Sequence, residues 1–298
     1  MIRTFVLLLS GMWAMAWAQA STNFERRLAV DPHGTVEITN VSGKIDVRGW
    51  DRSEVEVRGD VGSGVQRVDV TTDHGRTDVR VIAPNHAGGG IDTDLHIRVP
   101  HDSQLEISTV TAEVEIAEVE GAQMLRSVSG TIKSEIYEKN AEIKTVSGDV
   151  VVRGHRKDTS MHITTISGNI RIDRAAGDLD ATTVSGDMTV RLDPSRNVRV
   201  RTTSGDLGFE GRLAKGASLN AETVSGDLTV RAIPEAGIVY EVGTFSGDIK
   251  DCMGVEAERV SRYAPGKRLT GSQGAAGPDE SQVRLKTMSG DVELCDKS

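Results

Sequence analysis

One short repeat constrains this chain more than any other feature of it. Ser-Gly recurs at Ser129, Ser147, Ser167, Ser185, Ser204, Ser225, Ser246 and Ser289, and the first six intervals are 18, 20, 18, 19, 21 and 21 residues. A weaker copy stands at Thr111 and an outlying one at Ser42. Self-similarity at this period points to stacked units, none of which can bury its apolar face alone.

Aligned on the serine, the columns have physical meaning. Two residues before it stands Ser127, Thr145, Thr165, Thr183, Thr202, Thr223, Thr244 or Thr287. Apolar residues fill the positions four before (Leu125, Ile143, Ile163) and three after (Ile132, Val150, Ile170), and most of those five after. Period-two alternation on both sides of Ser-Gly predicts two half-buried strands per copy. Turn-rich pieces such as 174–178, 193–197 and 233–237 join them as loops. The residue just before the serine is usually apolar as well (Val128, Val146, Ile166, Val184), and simple alternation does not place it.

These patterns predict an all-β chain, a β-solenoid of the parallel β-helix kind with 18–21-residue, two-strand rungs ~4.8 Å apart. An antiparallel sandwich is the alternative, but a sandwich has no reason to repeat Thr-x-Ser-Gly at every strand pair. Residues 106–298 form the repeat region, with a loop insertion near 261–281. Residues 21–105 read as a less regular N-terminal β region that begins and caps the stack.

Residues 1–20 read as a signal peptide: Arg3, an apolar stretch to Trp17, and the small-x-small site Ala18-Gln19-Ala20. Cleavage after Ala20 predicts a periplasmic or secreted protein with no transmembrane segment. Without those residues the charge is 34 basic against 44 acidic, or −10. Such a balance argues against nucleic acid as a partner.

Thr39 to Asp51, then Ile97-Arg98-Val99-Pro100 and the Thr-Val-Ser-Gly-Asp series, resemble the bacterial putative-adhesin family of β-strand-repeat domains. That resemblance covers nearly all of the mature chain. It implies an envelope role, with some similar proteins linked to envelope-stress sensing, and no established ligand or catalytic residue.

The repeat serines are expected to make bends, since a residue present in every rung does a repeated job. Aspartate follows Ser-Gly at Asp149, Asp187, Asp206, Asp227, Asp248 and Asp291, with Thr131 and Asn169 breaking the column. This row is expected to cap turns; weak calcium binding along Asp187, Asp206, Asp227 and Asp248 is the alternative. Six residues after serine, Glu135, Arg153, Asp173, Arg191, Glu210 and Arg231 alternate in sign, as an outward salt-bridge ladder would. Cys252 and Cys295 fall in that same column, which predicts a disulfide between neighbouring rungs. The 43 residues between them then hold one rung interrupted by the insertion.

The expectation is a non-catalytic, adhesin-like envelope scaffold or binding module, with no cofactor and an envelope protein or glycan as partner. A polysaccharide-active β-helix enzyme and a calcium-dependent adhesin are the alternatives. The enzyme is the minority reading, because such active sites need clustered acids or bases on one face, usually beside aromatic rings that stack on sugars, and the chain has few aromatics.

Overall fold

The structure, a computed structural model, describes residues 22–84, 90–252, 254–261, 264–274, 277 and 279–296. The signal peptide expected over 1–20 lies outside the described residues. The described residues are all-β, with 24 strands among them joined in one sheet system. No helix among the described residues is long and apolar enough to cross a membrane.

Each repeat contributes a leading strand before its Ser-Gly bend and a trailing strand after it. Leading strands pair parallel one repeat apart, so the column four before serine runs Leu125↔Ile143↔Ile163↔Ala181↔Val200↔Ala221. Trailing strands do the same: Ile132↔Val150↔Ile170↔Met188↔Leu207↔Leu228. All twelve of these side chains are buried, and they form one continuous core in a solenoid-like stack. Two of the pieces expected as separating loops, 174–178 and 193–197, lie inside continuous strand, whereas residues 235–237 of the third stay outside strand as expected. Ile170–Thr182, Met188–Arg201 and Leu207–Glu222 each run from a trailing strand into the next leading one. Register shifts at 172–179 and at 192–197 absorb the extra residues there.

Sequence order and stacking order part company at both ends. Ser281–Ser289 lies between Leu207–Glu222 and Ile238–Ser246, and Val292–Cys295 lies between Leu228–Pro234 and Ile249–Asp251. The last repeat in the chain is therefore the second-to-last rung in space. The loop insertion expected near 261–281 is largely strand: Ala264–Gln273 runs antiparallel along the outer edge of Ile238–Ser246. At the other end, the Ser42 copy lies between the Thr111 rung and an outer rung built from Arg76–Ile82 and Asp92–Pro100. Arg67–Asp73 and Glu54–Val61 then pair antiparallel outside that rung.

A parallel edge left open would recruit further strands. Antiparallel strands cover it at the N-terminal end and along Ile238–Ser246, while Ile249–Asp251 is a three-residue edge strand. In the N-terminal cap the carboxylate of Glu56, only 2% exposed, is held by Arg27 at 2.6 Å and Arg58 at 3.0 Å. Buried charge is tolerated when paired in this way.

Candidate functional site

The Thr-Val-Ser-Gly-Asp bend stacks into a corner that runs the length of the molecule, and each of its residues has a separate task. The threonine points inward. Thr183, Thr202, Thr223, Thr287 and Thr244 donate Oγ1–H to the glycine carbonyl of the rung below, at 3.0–3.4 Å. Thr145 and Thr165 keep the buried position without such a bond. The serine continues the ladder through its backbone: Ser185, Ser204 and Ser225 each donate N–H to the rung below at 2.9 Å. Bridges join Ser129 to Ser147, Ser167 to Ser185, Ser225 to Ser289, and Ser246 to Ser289. Glycine follows because two demands meet there. Gly205 has φ 143°, and a Cβ on it would stand 2.2 Å from the carbonyl oxygen of Gly186.

The aspartates form a second ladder. Asp187 Oδ1 accepts the N–H of Asp206, Asp206 Oδ1 that of Asp227, Asp227 Oδ1 that of Asp291, and Asp291 Oδ1 that of Asp248, all at 2.8–2.9 Å. Asn169 takes part with its amide oxygen, accepting from Asp187 at 2.9 Å. At the end of the row Lys267 Nζ donates to Asp248. One oxygen of Asp187, Asp206 and Asp227 is thus engaged in satisfying backbone between rungs.

The residue before the serine answers the question that alternation left open: it faces solvent. Val110, Val128, Val146, Ile166, Val184, Val224, Met288 and Phe245 are 41–59% exposed. In stacking order they make an apolar ridge of roughly 40 Å, broken by Thr203. Among the described residues they are eight of the twelve exposed large apolar side chains, so the exposure is concentrated here rather than scattered. The exposed serines and aspartates flank the ridge.

Sequence reasoning missed this ridge although its signal was visible. A buried threonine two before the serine and an apolar residue one before cannot both face inward on one strand. In five rungs the interior also offers the threonine hydroxyl a glycine carbonyl to bond.

The charged column lies further along the trailing strands. Arg191 bridges Asp173 at 2.9 Å and Glu210 at 3.2 Å, and Arg153 reaches Glu135 at 3.9 Å. Burial pushes the Asp173 carboxyl up, but hydrogen bonds from Arg171 and Arg191 outweigh it and hold the group below the usual carboxylate range. The column ends on the two cysteines. Arg231 lies beside Cys295, and Cys295 is disulfide-bonded to Cys252 with Cα atoms 4.9 Å apart. Cys252 is exposed and Cys295 only 6% exposed. The bond ties the three-residue edge strand Ile249–Asp251 to the rung beneath it.

Compared with known proteins, residues 67–295 match the family model described as Toastrack DUF4097. No curated protein matches the chain. Among solved structures it is similar to a putative adhesin from Bacteroides fragilis, at 9% identity and TM-score 0.40 over 93% of this chain and 98% of that one. A putative adhesin from Parabacteroides merdae is similar at 9% identity and TM-score 0.37, over 91% and 95% of the two chains. A putative lipid binding protein from Parabacteroides distasonis follows at 14% identity and TM-score 0.34, over 91% and 96%.

Proposed function

The chain belongs to the Toastrack DUF4097 family, and from that premise we propose that it is a non-catalytic, adhesin-like binding module of the cell envelope. It is exported, loses its signal peptide after Ala20, and holds a protein partner along the apolar ridge of the bend corner. The single observation that carries this reading is the ridge itself. Eight large apolar side chains stand in solvent in one line, on a surface whose flat faces are otherwise charged. Leaving them in water forgoes burial worth roughly 25 cal/mol per Å2 of apolar area, which a partner recovers.

The repeat also supports a non-catalytic role. Its serines carry the same backbone bridge in rung after rung, so none is set apart as a nucleophile. A rigid stack with a regular edge is a recognition surface rather than a reaction chamber.

The test is cross-linking in the native envelope, with wild type compared against a Val146→Lys, Val184→Lys, Val224→Lys triple variant. These side chains are 41–48% exposed, so each change is expected to alter stability by no more than ~0.5 kcal/mol. The reading predicts that partner proteins recovered with wild type are lost with the triple variant while its melting temperature holds. Recovery of the same partners by both proteins would show that the ridge is not the binding face.

A further inference from the structure

At the far end of the trailing strands from the ridge lies a groove with a different chemistry. Its volume is about 790 Å3, and its lining includes six arginines against three carboxylates. The chain as a whole carries −9, so the groove inverts the sign of the surface around it. Lining residues come from five successive trailing strands, which gives it a length of roughly 20 Å along the stack.

The three carboxylates are engaged by Arg191 and Arg212. Arg156, Arg174 and Arg231 have no carboxylate within ion-pair distance among the described residues. Backbone geometry supplies a second, independent observation. Arg156 and Arg174 sit at φ 56° and 58°, in the left-handed region where a bulky side chain is disfavoured and glycine is at ease. The N–H of Arg156 donates to the carbonyl of Arg174 at 2.9 Å, so the two occupy facing positions on successive rungs. Glycine would suit both turns better, and the backbone has no use for arginine there.

We propose that this groove binds a linear anionic glycan. Arg156, Arg174 and Arg231 take its carboxylates or sulfates, which the planar guanidinium fork matches in pairs of hydrogen bonds. The half-exposed Ile233 and Val151 give the sugar rings an apolar surface. Nucleic acid is the less suitable polyanion. No aromatic side chain lines the groove on which bases could stack. The site does not depend on the ridge, and a protein partner there leaves it open.

The test is a binding titration at low salt with four fluorescently labelled probes of similar length: polygalacturonate, dextran sulfate, neutral dextran and oligothymidylate. The proposal predicts binding of at least one anionic glycan, weakening as salt is raised. Tighter binding of polygalacturonate assigns the site to carboxylates, and tighter binding of dextran sulfate assigns it to sulfates. An Arg156→Gly, Arg174→Gly double variant removes both charges and relieves both turns. It is expected to lose affinity at least ~10-fold while its melting temperature holds or rises. Arg126→Gln, on an exposed leading-strand position, is expected to bind as wild type does. The proposal is overturned if neither anionic glycan binds, if neutral dextran binds as well, if oligothymidylate binds more tightly, or if the double variant keeps its affinity.

Discussion

Replacing Asp206 separates two effects that the aspartate row combines. The Asp206 carboxylate accepts the N–H of Asp227 at 2.9 Å, and its own N–H goes to Asp187 at the same distance. Like charges one rung apart, ~4.8 Å, repel by about 0.9 kcal/mol in water, and Asp206 has such a neighbour on each side. Asp206→Asn removes the repulsion and keeps an acceptor oxygen, as Asn169 does in the same column. Asp206→Ala removes the repulsion and the acceptor together. The difference between the two variants therefore isolates the hydrogen bond, worth about 1 kcal/mol for a neutral acceptor, with Asn the more stable. Relative to wild type, Asn is expected to be neutral or stabilising by up to about 1 kcal/mol. Urea denaturation of both variants at low and high salt is the assay. The gain of Asn over Asp should fade with salt, and the gap between Asn and Ala should not. Equal midpoints for Asn and Ala would refute the ladder. Wild type stabilised by calcium, with the Asn variant unresponsive, would establish the calcium row instead.

Reduction of Cys252–Cys295 opens a 43-residue loop, and chain entropy sets the loss at about 4 kcal/mol, read as a drop in the denaturation midpoint with dithiothreitol. A drop of less than ~1 kcal/mol would show that the hairpins alone hold the outer rung. Ile170→Asp puts an unpartnered carboxylate in a site only 1% exposed and is expected to cost at least about 4 kcal/mol. Ile166→Asp, four residues earlier on the ridge and 49% exposed, should stay within ~0.5 kcal/mol, and similar costs for the two would contradict the assigned facing. Hydrogen bonds from Arg76, Lys133, Lys144 and Arg268 hold Glu37, Glu113, Glu142 and Glu241 below the ordinary carboxylate range. Depressed folded-state values mean that their contribution is fully present above the unfolded value, about 4.3, and is lost as pH falls below it. Thermal melts should be flat from about pH 6 to 8 and decline below about pH 4; a decline beginning near pH 6 would point to other groups.

Much of this architecture is legible in the columns of the sequence. Apolar residues four before and three after the serine had to face one core, and parallel pairing one repeat apart followed from their identity from rung to rung. The cysteines could be paired because they share a column whose other members are charged. Three features needed contacts between rungs to settle them. The ridge arises from competition between Thr and Val for the interior, in which a glycine carbonyl of another rung favours Thr in five rungs. The glycine and proline signals at 174–178 and 193–197 mark bulges rather than loops, because neighbouring rungs supply hydrogen bonds on either side. The position of the Ser289 rung could not be read from spacing, since its interval fits a rung interrupted by a loop as well as a strand that turns back and inserts. Charge in the groove was visible as single arginines, but their convergence needed the fold.

Stacking order is the central claim, because the ridge, both ladders and the groove all derive from it. Engineered cysteine pairs on the exposed ridge test it directly, in a background with Cys252 and Cys295 replaced by serine. Val224 and Met288 stand on adjacent rungs, 64 residues apart in sequence, whereas Val224 and Phe245 are two rungs apart although only 21 residues separate them. Adjacent positions are ~4.8 Å apart, within disulfide range, and alternate ones roughly 10 Å apart, beyond it. Under mild oxidation the Val224→Cys, Met288→Cys pair is predicted to cross-link and the Val224→Cys, Phe245→Cys pair to remain reduced. The opposite pattern would mean that the rungs stack in sequence order, and the account would fail.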